Sequence, residues 1–145
     1  MEHWHIGILT PDIDSSLDAL CAMPDTRREG WTVNEIEFLA SDMVTGDGGK
    51  LRTAIGRLGG IVYELIQPLD DSSYHAKAMV SRGPGVHHSA YICDDGHQDD
   101  IVESLKAAGG RVIWEARHME EHVYYIELLD GTIWEIINSC PFMPE

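Results

Sequence analysis

One stretch of this chain occurs twice in outline, and that repetition limits the folds open to it. Gly60-Ile61-Val62-Tyr63-Glu64-Leu65-Ile66-Gln67 aligns without a gap on Gly131-Thr132-Ile133-Trp134-Glu135-Ile136-Ile137-Asn138, each copy placing a glutamate inside an apolar, β-branched run. Ahead of each stands a Gly59-Gly60 or Asp130-Gly131 dipeptide of the kind that closes two-residue hairpins. A second echo pairs His5-Ile6-Gly7-Ile8 with His88-Ser89-Ala90-Tyr91, with a small residue two places after the histidine in both. The chain is therefore read as a duplicated unit. The first copy is longer between histidine and glutamate, and the surplus falls around Ser41 to Lys50.

A carboxylate in a buried strand costs several kcal/mol unless something compensates it. Two histidines and two glutamates at matching places in a repeat share one explanation, a pseudo-twofold site for a divalent metal built from His5, Glu64, His88 and Glu135. The competing reading is four unrelated core residues, the histidines hydrogen-bonded and the glutamates paired to arginines. Recurrence in both halves favours the metal. As strand residues His88, Ala90 and Ile92 share one face and His87, Ser89 and Tyr91 the other, so His87 is expected to point away from the site. His3 shares the face of His5 and is a lesser candidate. His118 and His122 are read as exposed loop residues outside the ligand set.

His5-Ile6-Gly7-Ile8, Tyr63-Glu64-Leu65-Ile66-Gln67-Pro68, Gly83-Pro84-Gly85-Val86-His87-His88 and Trp134-Glu135-Ile136-Ile137 resemble the four metal-bearing strands of the vicinal oxygen chelate superfamily, nearest its methylmalonyl-CoA epimerase and glyoxalase I-like branch. The resemblance implies an α+β fold in which two βαβββ modules form one eight-stranded, incompletely closed cup around the metal. Residues 1–145 would be a single domain, with module one at about 1–68, a linker at about 69–84 and module two at about 85–140. It also implies a homodimer. Glu64 and Glu135 are then candidate acid/base groups as well as ligands. Asp47 resembles an acidic position before glycine in epimerases, although as a residue it reads equally well as a turn aspartate.

The 145 residues suffice for one compact domain or two small modules sharing a core. With 25 acidic against 10 basic residues the net charge is −15, which argues against nucleic acid or an anionic membrane surface as partner. Five basic residues, Lys50, Arg52, Arg57, Lys77 and Arg82, fall close together in sequence and could meet the phosphates of a CoA substrate, although strand parity sends Arg52 and Arg57 to opposite faces. Cys21, Cys93 and Cys140 show no CxxC spacing, so neither a disulfide framework nor a zinc-thiolate site is indicated, and a cytoplasmic location is expected. No signal segment or membrane span is read in the sequence.

Local signals place the remaining elements. Thr10 to Asp14 offers helix caps before Ile13, Leu17, Leu20 and Cys21, and Pro24 ends that segment. A strand runs from Trp31 to Ala40, and glycine-rich Ser41 to Lys50 reads as a mobile loop. A two-residue turn at Gly59-Gly60 would set Ile55 opposite Glu64, and the same rule at Asp130-Gly131 would set Ile126 opposite Glu135. Ser72 and Ser73 cap a short helix in the linker. Asp94 and Asp95 cap a longer one carrying Ile101, Leu105 and Ala108, closed by Gly109-Gly110.

Neutral imidazoles and carboxylates suit Co, Ni, Mn, Fe or Zn, and four of them leave two octahedral positions open. A Lewis acid beside a carbonyl and a nearby carboxylate base make loss of the α-proton accessible. The first expectation is a metal-dependent isomerase or epimerase acting on an acyl-CoA or a 2-oxo compound. The alternatives are a glyoxalase I-like lyase on a thiol adduct and a non-catalytic small-molecule binder. An extradiol dioxygenase ranks lower, because that chemistry uses two histidines and one carboxylate.

Overall fold

The computed structural model describes residues 1–139, with the side chain of Asp95 excepted. Cys140, the last position of module two, lies outside the described residues. In chain order the elements are β1 (Glu2–Leu9), α1 (Ile13–Leu20), β2 (Thr32–Phe38), β3 (Met43–Thr45), β4 (Gly49–Leu58), β5 (Ile61–Pro68), α2 (Tyr74–Arg82), β6 (Gly85–Ile92), α3 (Asp95–Ala107), β7 (Arg111–His118), β8 (Glu121–Glu127) and β9 (Ile133–Ile137). The strands form one sheet in the order β2-β4-β5-β1-β6-β9-β8-β7-β3. Its two halves mirror one another about the antiparallel β1–β6 pair: β1 runs parallel to β5, and β6 parallel to β9.

This is the α+β cup that the resemblance implies, with nine strands in place of eight. The additional strand is β3, which lies in the stretch expected to be a mobile loop. Met43 pairs with Ala116 and Thr45 with Glu115 across the far edge of the sheet. Because β2 and β3 sit at opposite ends of the strand order and are joined by a single turn of 3-10 helix at Ala40–Asp42, the insertion brings the two edges together and nearly closes the barrel. Covering β7 in this way also removes an open edge that would otherwise invite pairing with another chain.

The helices follow amphipathic logic. Asp12 caps α1, accepting from the Asp14 N–H, and Ile13 and Leu17 bury completely against Ala54, Leu65 and Trp31 on the outer face of the first half-sheet. Two such side chains contribute about 1.5–3 kcal/mol each. α3, capped by Asp94, does the same with Val102 against Tyr124, Ile126 and Ile136 on the second half. Among the described residues no helix is long and apolar enough to cross a membrane.

The two hairpins differ, and the difference decides which side chains enter the cup. At Gly59-Gly60 both residues have positive φ, the left-handed conformation a tight hairpin turn demands, and Ile55 pairs with Glu64 as the sequence suggested. At Asp130-Gly131 the turn is wider. The last pair is Glu127 with Ile133, the Leu128 N–H donates to the Thr132 carbonyl, and Asp130 Oδ1 accepts from the Thr132 N–H. The register therefore slips by one, Tyr125 and not Ile126 lies opposite Glu135, and a slip of one turns every side chain of the strand to the other face.

Candidate metal centre

The site is built on the central strands. Gly7 pairs with Glu64 across β1–β5, and Ala90 with Glu135 across β6–β9, so each small residue faces the glutamate of its own half. His88 in turn pairs with Gly7 across β1–β6, and its ring occupies the space a side chain there would fill: a Cβ on Gly7 would stand 2.1 Å from His88 Cε1. That close approach is why the first copy carries glycine where the second has alanine.

Both β1 and β6 carry bulges beside His5 and His88. The β1–β6 register shifts between His3 and Ile6 and again between Gly7 and Ile8, inserting an extra residue on β1 near Trp4-His5 and on β6 at His87. A bulge breaks the alternation of faces and re-aims a side chain. Trp4 and His5 are consequently both buried, as are His87 and His88. The sequence expectation that His87 points away is thus corrected: its Nδ1 lies 2.9 Å from His88 Nδ1 and its Nε2 2.9 Å from the Tyr74 hydroxyl.

The four residues singled out by the repeat converge. His5 Nε2 and His88 Nε2 are 3.1 Å apart, and Glu135 Oε2 stands 3.1 Å from each. Glu64 Oε1 is 3.8 Å from His5 Nε2, and one donor atom from each of His5, Glu64 and His88 falls within a 4.8 Å cluster. Glu135 Oε2 is buried and makes no aligned hydrogen bond among the described residues. Adjacent ligands of an octahedral ion with bonds of about 2.0–2.2 Å stand about 2.8–3.1 Å apart, so the spacing and the orphaned oxygen fit a shared cation.

Burial and mutual charge set the electrostatics of the cluster. Burial pushes Glu64 up to about 7, opposed by His5 and reinforced by Glu135 and Glu121. For Glu135 burial also acts upward, but the 3.1 Å contacts of its carboxylate with the His5 and His88 rings outweigh it and hold the carboxyl well below the usual range. Burial pushes His5 down while the carboxylates of Glu64 and Glu135 more than offset it, and His88 is held down by burial despite Glu135. His75 and His87 are lowered to about 3 and about 2, first by burial and then by His88, so both are neutral imidazoles.

The cup holds a cavity of about 50 Å³ walled by Trp4, Phe38, Trp114 and Tyr125, with the carboxylates of Glu64, Glu121 and Glu135. No lysine or arginine lines it among the described residues. Glu121, half-buried at the start of β8 and raised by burial, was not singled out from the sequence, since it sits in a polar stretch without a periodic signal. Tyr125 and His75 were missed as well, the first through the register slip and the second because a lone histidine in a linker carries no pattern. They bond to each other at 3.0 Å, Tyr125 Oη to His75 Nε2.

Asp47 is not brought to this cavity. Its exposed carboxylate accepts from Lys77 Nζ at 2.6 Å, while its backbone carbonyl accepts from Trp114 Nε1 and from the Tyr74 N–H. Three of the five clustered cations are engaged in ion pairs, Arg52 with Asp14, Lys77 with Asp47 and Arg82 with Glu127. His3 is exposed and packs edge-on against Tyr91. His122 is buried, contrary to expectation, but its Nε2 pairs with Glu115 at 2.8 Å. His118 is half-buried and pairs with Asp42 at 3.2 Å.

Residues 4–126 match the family model described as the Glyoxalase/Bleomycin resistance protein/Dioxygenase superfamily. No curated protein matches the sequence. Among solved structures, a hypothetical protein from Bacillus halodurans C-125 superposes with a TM-score of 0.66 at 22% identity, covering 99% of this chain and 98% of that one. Methylmalonyl-CoA epimerase from Mycobacterium tuberculosis gives 0.63 at 23% identity over 97% and 89% of the two chains. A variant of Streptomyces coelicolor methylmalonyl-CoA epimerase in complex with 2-nitronate-propionyl-CoA gives 0.65 at 24% over 97% and 96%. At these identities the likeness is one of fold.

Proposed function

Because the chain belongs to the Glyoxalase/Bleomycin resistance protein/Dioxygenase superfamily, we propose that it is a metal-dependent isomerase or epimerase that removes a proton next to a carbonyl group. The observation that carries this reading is the convergence of His5, His88 and Glu135 at mutual separations of 3.1 Å, with Glu64 beside them. These four residues would hold a divalent Co, Ni, Mn, Fe or Zn ion. When bound, such an ion supplies a Lewis acid that stabilises negative charge on a carbonyl oxygen.

The chain's own residues do the rest. Aromatic walls exclude bulk water and position an apolar substrate body. Glu64 lines the cavity and is farther from the imidazoles than Glu135, so it is the ligand carboxylate better placed to take the α-proton. Epimerisation needs an acid or base on each face of the carbon. Glu121 enters from β8 while Glu64 enters from β5, and it takes the second role that Asp47, bound to Lys77, does not reach. The proposed substrate is an acyl thioester or 2-oxo compound, in keeping with the acyl-CoA analogue held by the Streptomyces coelicolor neighbour. The ligand set is complete within one chain, and the proposed assembly is a homodimer, which light scattering would test.

A second reading is favoured by one observation. The cup is lined by three carboxylates and no cation among the described residues, so a substrate bearing a free carboxylate beyond its chelating group meets repulsion there. A neutral thiol adduct, handled by a glyoxalase I-like lyase, avoids that cost. Metal-loaded protein incubated in D2O with CoA esters and 2-oxo acids should introduce deuterium at the α-carbon. Stoichiometric metal without exchange into any of them would move the assignment to the thiol-adduct reading, and failure to bind metal would end both.

A further inference from the structure

Two buried imidazoles and the half-buried Tyr74 form a continuous hydrogen-bonded line behind the candidate centre: His88 Nδ1 to His87 Nδ1 at 2.9 Å, and His87 Nε2 to the Tyr74 hydroxyl at 2.9 Å. A neutral imidazole carries one N–H and one lone pair, so the direction of one bond sets the direction of the next. Only two arrangements exist. In one, His87 donates to His88 Nδ1, which leaves the His88 proton on Nε2 where it blocks any cation. In the other, His88 Nδ1–H donates to His87, His87 Nε2–H donates to Tyr74, and His88 Nε2 offers its lone pair to the cup.

We propose that His87 and Tyr74 are positioning residues that hold His88 in the metal-ligating tautomer, with the line running outward from His88 to Tyr74. This rests on the metal reading above and adds to it an unequal pair of half-sites. His5 Nδ1 is buried with no partner among the described residues, and Trp4, the counterpart of His87 in the repeat, has its Nε1 equally unpartnered. The second half-site is thus preorganised and the first is not. The bulge at His87 is what makes this possible, since regular strand geometry would have turned the ring outward. Outer partners of ligand histidines fix the tautomer and the ring orientation, and their loss typically costs 10- to 100-fold in metal affinity.

The test uses the ¹⁵N-labelled full chain loaded with zinc, in which long-range ¹⁵N–¹H correlation reports which ring nitrogen carries each proton. His88 should be protonated on Nδ1 and His87 on Nε2, and a proton on His87 Nδ1 with zinc bound overturns the proposal. His87→Leu should weaken zinc binding about 10- to 100-fold, whereas His87→Asn, whose Oδ1 falls where Nδ1 stood, should restore most of it. Equal losses in both variants would show that ring packing alone matters and sink the idea. Melting temperatures of the metal-free variants, taken alongside, separate loss of affinity from loss of fold. Should the wild-type chain fail to bind zinc, the metal reading itself falls; zinc bound with the wrong tautomer refutes this inference alone.

Discussion

Gly7→Ala is the smallest change that should disturb both the fold and the candidate centre. The added methyl would stand 2.1, 2.4 and 2.6 Å from Cε1, Nε2 and Nδ1 of His88, about an ångström or more inside van der Waals contact along the whole ring. His88 cannot simply swing aside, because its Nδ1 is tied to His87 at 2.9 Å and its ring lies 4.8 Å from that of Tyr125. Relief must come from moving β1 against β6 at the centre of the sheet. Overpacking of this kind costs about 1–3 kcal/mol, which at about 2–4 °C per kcal/mol lowers the melting temperature by roughly 2–12 °C. Thermal unfolding of the metal-free variant measures that term. Zinc titration against a competing chelator measures the second, a loss of at least tenfold as His88 Nε2 leaves its 3.1 Å station beside Glu135. Gly56→Ala, whose Cβ would meet the Trp31 ring at 2.3 Å away from the cluster, is the control that should lose stability without losing metal. A Gly7→Ala protein with unchanged melting temperature and unchanged zinc affinity would refute the packing argument.

Glu135→Ala and Glu64→Ala should each weaken metal binding strongly, with Glu135 the larger because its oxygen meets both imidazoles; full retention of metal by both, measured by elemental analysis, would end the four-ligand claim. Chelator should lower the melting temperature of metal-loaded protein and added metal should restore it by mass action, an effect absent if the cluster holds no ion. Buried His75, lowered to about 3 from 6.5, contributes stability that is complete above pH 6.5 and is lost as pH falls toward about 3, since only the unfolded chain takes up its proton. His75→Gln should therefore flatten the slope of unfolding free energy against pH between pH 4 and 6 by about 1.4 kcal/mol per unit, and an unchanged slope in urea titrations of metal-free protein would contradict the burial. Tyr125→Phe, which strands His75 Nε2 inside the cup, should cost about 1–3 kcal/mol of stability with metal stoichiometry intact.

The duplication was legible because it rests on residue type alone. A glutamate inside an apolar strand and a histidine two places before a small residue are costly or unusual enough to be noticed once, and their recurrence in both halves pointed to a shared environment. The first hairpin was legible too, since two consecutive glycines at Gly59-Gly60 leave one tight turn and one register. The rest depended on contacts between segments far apart in the chain. The strand β3 has no periodic signal within Met43–Thr45 and exists because the edge of β7 offers it hydrogen bonds. Asp130-Gly131 resembles Gly59-Gly60 in composition, but aspartate 130 bonds to Thr132 and widens the turn, which carries Tyr125 into the cup and Ile126 out to α3. The bulges at Trp4-His5 and His87 have no sequence signature either, because an extra residue in one strand is defined only against its partner. Residue chemistry thus determined which side chains belong together around the cup. Whether their neighbours face in or out was decided by strand register, a property of pairs of strands that no single strand encodes.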